Sequence, residues 1–513
     1  MSAVIPPSGP SGARPLSGRT KPIVYFIGLT AALAGLLFGL DVGVISGANE
    51  FIQKDFGVDD RTIENIVSSL LWGAVFGVLV SGFFSLRLGR RGTILISALV
   101  FAAGSVCCAL APSPGTLIAA RFFLGIAVGM ASFVAPLYLS EIAPQSVRGA
   151  LISMYQLMIT IGIVLAFLSD TFFATYADLK PLATTISESV SAMAGGRGQM
   201  VMEAYFAVPW RWMLGVIAVP ALLMFGGMLF LPESPRWLVL KNRVPQAREI
   251  LHRLAGSPAE AERELAGIED SLKIEQKGFS LFRDNRHFRR AVFLGVGLQV
   301  IQQFTGINVI MYYTPRILHE AGFNTTAEQM WGTVLIGTIN VLATFIAIAF
   351  VDRLGRKPMM YAGFTVMGFG MLSLGALFHL GIGGGNISMS YLAVASLVVF
   401  IIGFAMSAGP IIWILCAEIF PLAGRDFGIT CSTVTNWAAN ALVGMTFLTM
   451  LNVLGPGNTF LLYGALNAAF FVFFLALVPE TKGVSLESIE QKLLAGAPLR
   501  EIGRGRTALT PRS

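Results

Sequence analysis

Two long stretches of this 513-residue chain, 358–417 and 427–479, contain no Asp, Glu, Lys or Arg. A helix needs about 20 apolar residues to cross a bilayer, so each stretch holds two crossings. Soluble domains carry about 25% charged residues, whereas this chain is 55% hydrophobic and 13% charged. Too few charges remain to coat its apolar surface, which excludes a soluble enzyme, a secreted scaffold and a disordered protein. The chain reads as an all-α polytopic membrane protein with twelve spans: 23–45, 66–86, 93–110, 116–139, 151–173, 212–231, 291–318, 331–351, 359–380, 391–416, 428–451 and 460–478.

The distribution of positive charge orients these spans. Of the 36 Lys and Arg, five (Lys54, Arg61, Lys180, Arg197, Arg211) fall in odd-numbered gaps and two (Arg121, Arg316) within spans, leaving 29 for the tails and even-numbered gaps. Cytoplasmic loops collect Lys and Arg, so both termini are expected in the cytoplasm. The formal charge of +7 thus reports topology and contact with anionic lipid, not nucleic acid. Residues 1–20, rich in Pro, Gly and Ser, read as a disordered tail. The apolar run after them is too long for a signal peptide and contains Asp41. Cys107, Cys108, Cys416 and Cys431 lie in or near apolar runs, without disulfide or metal-site spacing.

The chain repeats itself once. Arg87-Leu-Gly-Arg-Arg91 after span 2 returns as Arg353-Leu-Gly-Arg-Lys357 after span 8, and Glu141 with Arg148 returns as Glu418 with Arg425. Pro232-Glu-Ser-Pro-Arg236 after span 6 has a counterpart in Pro479-Glu-Thr-Lys482 after span 12. Three cassettes in the same order imply two parallel six-helix halves, a signature of secondary transporters. The expected organisation is a cytoplasmic tail (1–22), an N-terminal half (23–235), a linker (236–290), a C-terminal half (291–479) and a second tail (480–513). Within 241–290, Leu251, Leu254, Leu265, Ile268 and Leu272 fall roughly at helical spacing, predicting short amphipathic helices. The connection 174–209 is long and external.

Ionisable residues inside spans are functional candidates by default. Asp41 in span 1 and Arg121 in span 4 both fall towards the external half of the bilayer. A buried carboxyl beside a guanidinium can change protonation when its partner moves, as a proton carrier must; the rival reading is a static ion pair. The cassette charges read as a cytoplasmic gate: Arg90, Arg91, Glu141, Arg148, Glu233 and Arg236 in one half, Arg356, Glu418, Arg425 and Glu480 in the other. They would form salt bridges across the halves while the outer side is open. Their rival role is to anchor helix ends.

Span 7 carries Gln299, Gln302, Gln303, Asn308, Tyr312 and Tyr313, joined by Gln156, Asn340, Trp413, Asn436, Trp437 and Asn440 in other spans. Amides that donate and accept, beside aromatic faces, suit a ligand covered in hydroxyls. The bland alternative is interhelical hydrogen bonding, worth about 0.6 kcal/mol on average. No Gly-x4-Gly-Lys-Ser/Thr phosphate loop and no His-Glu-x-x-His pattern occurs, so neither nucleotide nor metal cofactor is expected. Glycines within spans read as close helix contacts.

Arg-x-Gly-Arg-Arg/Lys twice, Pro-Glu-Ser-Pro-Arg, Gln302-Gln303-x-x-Gly306-x-Asn308 and Pro-Glu-Thr-Lys closely resemble the motifs of the sugar porter family of the major facilitator superfamily, over nearly the whole chain. Stretches 302–315, 406–418 and 424–437 are most similar to the bacterial proton-coupled galactose carriers, then the arabinose carriers. The resemblance implies the major facilitator fold in a bacterial cytoplasmic membrane, and import of a monosaccharide with a proton by a monomer that is not an enzyme. It implies sugar contacts from Gln156, Gln302, Gln303, Asn308, Asn340, Trp413 and Asn440, closure by Phe38 and Tyr312, and proton coupling by Asp41 and Arg121. Asn436 joins the sugar contacts on its own polarity. Ala405, where animal facilitative carriers usually have Glu, together with Asp41, favours coupling over the alternative of a uniporter.

Overall fold

The computed structural model describes residues 22–144, 147–176, 184, 207–255, 257–273, 278–382 and 387–503. The N-terminal tail before residue 22 and most of the connection 174–209 lie outside the described residues, as does the side chain of Arg148. Among the described residues, ten helical stretches are long and apolar enough to cross a membrane. Asp60–Ala109 contains two spans. At 50 residues it would run about 75 Å if straight, more than twice the hydrocarbon thickness, and it breaks at Gly89 (φ 84, ψ 173). Arg425–Gly444 is a further helix of 20 residues whose polar side chains lower its hydropathy. It continues through residues 447–454 until Gly455 (φ 77, ψ 159) and Pro456 interrupt Phe447–Leu477.

Twelve spans result among the described residues. Span 1 is Pro22–Phe56, which outruns its expected end at residue 45. Spans 2 and 3 are 60–88 and 90–109. Span 4 is Pro114–Ile142, span 5 starts as Arg148–Thr171, and span 6 is Pro209–Leu229. Spans 7 to 10 are Arg286–Glu320, Thr326–Leu354, Arg356–His379 and Ile387–Ile419. Spans 11 and 12 are 425–454 and 457–477.

Glycine sets the packing inside the N-terminal half, as the sequence suggested. A Cβ on Gly39 of span 1 would overlap the Ile159 carbonyl of span 5, and one on Gly73 of span 2 would overlap the Phe122 carbonyl of span 4. The linker forms the expected short helices, Pro235–Leu240, Val244–Leu254, Pro258–Leu272 and Gly278–Asp284. Ser234 and Ser257 cap the first and third. The first three enclose a small core of Trp237, Leu238, Ala247, Leu251, Ala261 and Leu265. Trp237 Nε1 donates to the Leu86 carbonyl at 3.0 Å, docking them on the N-terminal half. The fourth helix packs Phe282 5.5 Å from Phe427 in the C-terminal half. Beyond span 12, helix Leu486–Leu494 buries Ile489 and Leu493, so part of the second tail is folded against the bundle.

Cross-half hydrogen bonds gather at the end of the bundle remote from the linker. Asn49 donates to the Tyr312 carbonyl (3.1 Å), Arg61 to the Met445 carbonyl (2.8 Å), Asn452 to Asp60 (2.9 Å) and Trp331 to Tyr176 (3.2 Å). Thr449 donates twice to Glu64, at 2.7 Å each. This far end is closed by polar contacts between the halves. At the linker end the polar contacts of the cassettes run within each half.

Candidate functional site

Asp41 and Arg121 are each no more than 2% exposed. Arg121 Nη1 stands 4.0 Å from Asp41 Oδ1, while its Nε donates to the Ile66 carbonyl of span 2 at 2.8 Å. Neither Asp41 Oδ1 nor Arg121 Nη1 has a hydrogen-bond partner. Burying opposite charges is tolerable only when they pair. Here the pairing is at its outer limit with a valence spare on each side, so a small shift between spans 1 and 4 tightens or releases it.

The amides of span 7 converge around a break in that span. Gly306, at φ 100, takes the left-handed conformation that glycine adopts without cost, separating Arg286–Phe304 from Ile307–Glu320. Gln302 Nε2 donates to the carbonyls of Ala408 (2.9 Å) and Gly409 (3.0 Å), beside the interruption of span 10 at Ser407. Asn436 Nδ2 donates to Gln299 Oε1 and Gln302 Oε1, both at 2.7 Å. Gln303 Nε2 reaches Gln302 Oε1 at 3.4 Å, and Asn308 donates to Gln303. Tyr312 donates to Asn440 Oδ1 at 3.2 Å. Gln302, Gln303, Asn308, Tyr312, Asn436 and Asn440 are thereby joined across spans 7 and 11 as two linked groups, both resting on the second half.

Phe38 reaches this region from the other half, its ring 5.0 Å from that of Trp437. Asn340 is buried and Gln156 half-buried, each without a side-chain hydrogen bond to the amide network, and Trp413 is 36% exposed. Span 1 ties the proton pair to the amides: Asn49, on the helix that carries Asp41, donates to the Tyr312 carbonyl at 3.1 Å, and the Tyr312 phenol donates to Asn440. Alternation of polar type at helical spacing found the span 7 face. It could not tell which amides satisfy one another.

Among the described residues, the cassette charges form no ion pair across the halves; the side chain of Arg148 lies outside them. Arg90 forms a two-pronged pair with Glu141 at 2.8 and 2.9 Å, and Ser234 donates to Glu141 at 2.5 Å. Glu233 Oε1 accepts the backbone N–H groups of Arg90 (2.9 Å), Arg91 (3.1 Å) and Ser234 (2.8 Å). The second half repeats the design. Arg356 pairs with Glu418 at 2.8 Å, Thr481 donates to Glu418 at 2.5 Å, and Glu480 accepts from the N–H groups of Arg356 (3.1 Å) and Lys357 (2.9 Å).

The physical reason for the pattern is helix capping. Gly89 (φ 84) and Gly355 (φ 99) end one span, and the Glu of the distant cassette satisfies the orphan N–H groups that open the next. Burial holds the Glu233 carboxyl above the usual carboxylate range against those donors. Arg91 instead donates to the Met228 (3.0 Å) and Leu229 (2.7 Å) carbonyls, and Arg425 to the Phe420 carbonyl at 3.3 Å. Arg236 is half-buried.

Two buried acids escaped the sequence reading. Asp170, in span 5, accepts the Gly47 N–H at 3.2 Å. Glu64, with no exposed surface, lies just before the expected start of span 2, where an interfacial charge is unremarked. Asp170 lies inside the expected span 5, so the rule for ionisable residues within spans was the signal that could have found it. The signal of Glu64 is tertiary, since Thr449 of the other half binds it.

Twelve spans among the described residues, in two half-bundles, with a buried ion pair and an amide-lined broken helix, define a membrane carrier for a polar solute. Residues 27–493 match the family model described as sugar (and other) transporter, and the chain belongs to that family. It is 54% identical over 487 residues to the galactose-proton symporter of Escherichia coli (strain K12), covering 95% of this chain and 98% of that one. It is 49% identical to the arabinose-proton symporter of the same strain, covering 94% and 96%. Among solved structures, the inward open conformation of the xylose transporter XylE from E. coli matches with a TM-score of 0.74 at 31% identity, covering 91% of this chain and 99% of that one.

Proposed function

We propose that the chain is a proton-coupled symporter that imports a monosaccharide, galactose first, by alternating access. One observation carries the coupling: Tyr312 donates to Asn440 of the amide set and, through its carbonyl, accepts from Asn49 of span 1, the helix that carries Asp41. The names of its relatives, galactose-proton and arabinose-proton symporter, support the same substrates. Asp41 takes a proton from outside and releases Arg121; sugar hydroxyls then exchange hydrogen bonds with Gln156, Gln302, Gln303, Asn308, Asn340, Trp413, Asn436 and Asn440, while Phe38 and Tyr312 close over it. The halves rock, and sugar and proton leave inward. With the linker end cytoplasmic, both termini are cytoplasmic in a multi-pass bacterial cytoplasmic membrane, and the structure is an inward-facing state. Residues 23–235 and 291–479 are the moving halves, 236–290 the linker, and one chain holds a complete pathway.

The cassettes serve as the inner gate through valences still free. Arg356 Nε and Arg425 Nε are buried without acceptors, available to carboxylates of the opposite half when the inner end shuts. The test is sugar-induced alkalinisation of the medium by cells expressing the protein, with galactose, glucose, arabinose and xylose in turn. A symporter alkalinises the medium with its substrates; uptake without alkalinisation makes the carrier a uniporter.

A further inference from the structure

Span 11 is interrupted at Met445 and Thr446, between helices Arg425–Gly444 and Phe447–Leu477. An interruption inside a bilayer-spanning segment exposes a helix C-terminus and a helix N-terminus, which carry opposite partial charges and unpaired backbone groups. Thr446, the cap residue of the second helix, supplies no side-chain bond to it. Both ends are met instead from the other half, by two residues of span 2. Arg61 Nη1 donates to the Met445 carbonyl at 2.8 Å. Glu64 Oε1 accepts the Thr449 N–H at 2.7 Å, and its Oε2 accepts the Thr449 hydroxyl at 2.7 Å. Arg61 and Glu64, three residues apart, also pair with each other at 3.1 Å. The cation therefore faces the negative helix end and the anion the positive one.

We propose that Glu64 is a positioning residue of the transport cycle, the clasp that holds the outer side shut by capping a helix of the opposite half. This rests on the symport reading for its place in the cycle, though not for the clasp itself. Opening the outer side must strip Glu64 from Thr449 and hydrate both. The clasp is also tied to the proton site. Arg121, the partner of Asp41, holds the carbonyl of Ile66, two residues along span 2 from Glu64. Movement of Arg121 when Asp41 changes charge is thus delivered to the turn of helix that carries the clasp.

The experiment uses the full chain in proteoliposomes, with spin labels on Lys54→Cys and Val453→Cys. Lys54 ends span 1 and Val453 is 75% exposed near the end of span 11; the accessible Cys107 and half-buried Cys431 are replaced by alanine. Pulsed electron-electron distances report the outer opening without substrate. Glu64→Met, similar in size but unable to accept either Thr449 bond, is expected to raise the open-to-closed ratio at least about tenfold, the factor of a single lost charge-assisted bond. Glu64→Gln keeps an oxygen for the Thr449 N–H and restores most of the closed population. Thr449→Val, a milder change on the opposite half, shifts distances the same way by less. The external KM for galactose falls in Glu64→Met by the factor that the outward-open fraction rises. Wild-type distances in both Glu64→Met and Thr449→Val would overturn the proposal, as would equal opening in Glu64→Met and Glu64→Gln. Sugar-induced proton uptake by the parent protein is read in parallel; its absence removes the coupling reading and leaves the distances to decide the clasp.

Discussion

Asp41→Asn isolates the proposed coupling, because it removes a charge and little volume. At 4.0 Å, unit charges attract by about 4 kcal/mol at an effective dielectric constant near 20. That attraction, offset in part by the cost of keeping both charges out of water, is what the protonation state of Asp41 switches on or off between spans 1 and 4. One proton moving through 100 mV supplies about 2.3 kcal/mol, or roughly 50-fold accumulation at about 1.4 kcal/mol per decade. The attraction is of the same order as that driving force, as a switch that transmits it requires. An asparagine is neutral in every state of the cycle and transmits nothing.

In proteoliposomes with an inside-negative potential of about 100 mV, the parent protein is expected to concentrate labelled galactose up to about 50-fold. Asp41→Asn should stop at equal concentrations. Exchange of labelled for unlabelled sugar at equal concentration, measured in the same vesicles, should persist, since the amides of spans 7 and 11 are untouched. It also shows that the buried Arg121, deprived of its counter-charge, has not unfolded the protein, a cost of about 3–5 kcal/mol where such a pair is broken. Asparagine-bearing protein that still concentrates sugar refutes the assignment of Asp41 as carrier.

Gly306→Ala forces an L-residue into φ 100 with its Cβ 3.0 Å from Met371 and Tyr463, at a cost of about 1–2 kcal/mol. Transport assays should show the sugar KM rising roughly 5- to 30-fold. Glu233→Ala leaves three backbone N–H groups without their acceptor and should lower stability by about 1–3 kcal/mol, read as a lower melting temperature in detergent. Glu233→Gln keeps that oxygen without burying a charge and should melt no lower than the parent. Because burial raises the Glu233 carboxyl, the native state holds its proton longer than the unfolded chain. Parental stability therefore falls as pH rises from the ordinary carboxylate value through the raised one. The advantage of Glu233→Gln should vanish in acid and widen across that window.

Periodic patterning made the spans and the doubling legible, because both are written in contiguous residues. The span 7 amides were legible for the same reason: Gln299 and Gln303 share one helical face. The burial of Glu64 was not, since the residue that buries it is 385 positions away. The gate charges show a subtler failure. Their repetition marked them as important, but spacing cannot say whether a Glu meets an Arg side chain across the halves or the backbone N–H groups of a neighbouring helix. Gly89 and Gly355 were the available clue: a glycine turn between two spans leaves N–H groups that need a cap, and Glu233 and Glu480 supply it.

This division of labour explains how the halves can rock without coming apart. Within a half, glycine contacts and capped turns leave little freedom: the Gly39 and Gly73 approaches admit no side chain, and the Arg90–Glu141 pair is nearly buried. Between the halves, the polar contacts named are six hydrogen bonds at the far end. Four of the six involve a charged side chain, at about 1.5–3 kcal/mol net each, and two are neutral, at about 0.5–1.5 kcal/mol, so their sum exceeds the roughly 2.3 kcal/mol of one proton at 100 mV. A cycle turns over only if the opposite state recovers most of that sum. Arg356 and Arg425, with buried donors still unmatched at the linker end, are placed to recover it there. Strong internal clusters and exchangeable bridges are therefore the two requirements of a rocking carrier, and the repeated cassettes supply the first while retaining the spare valences for the second.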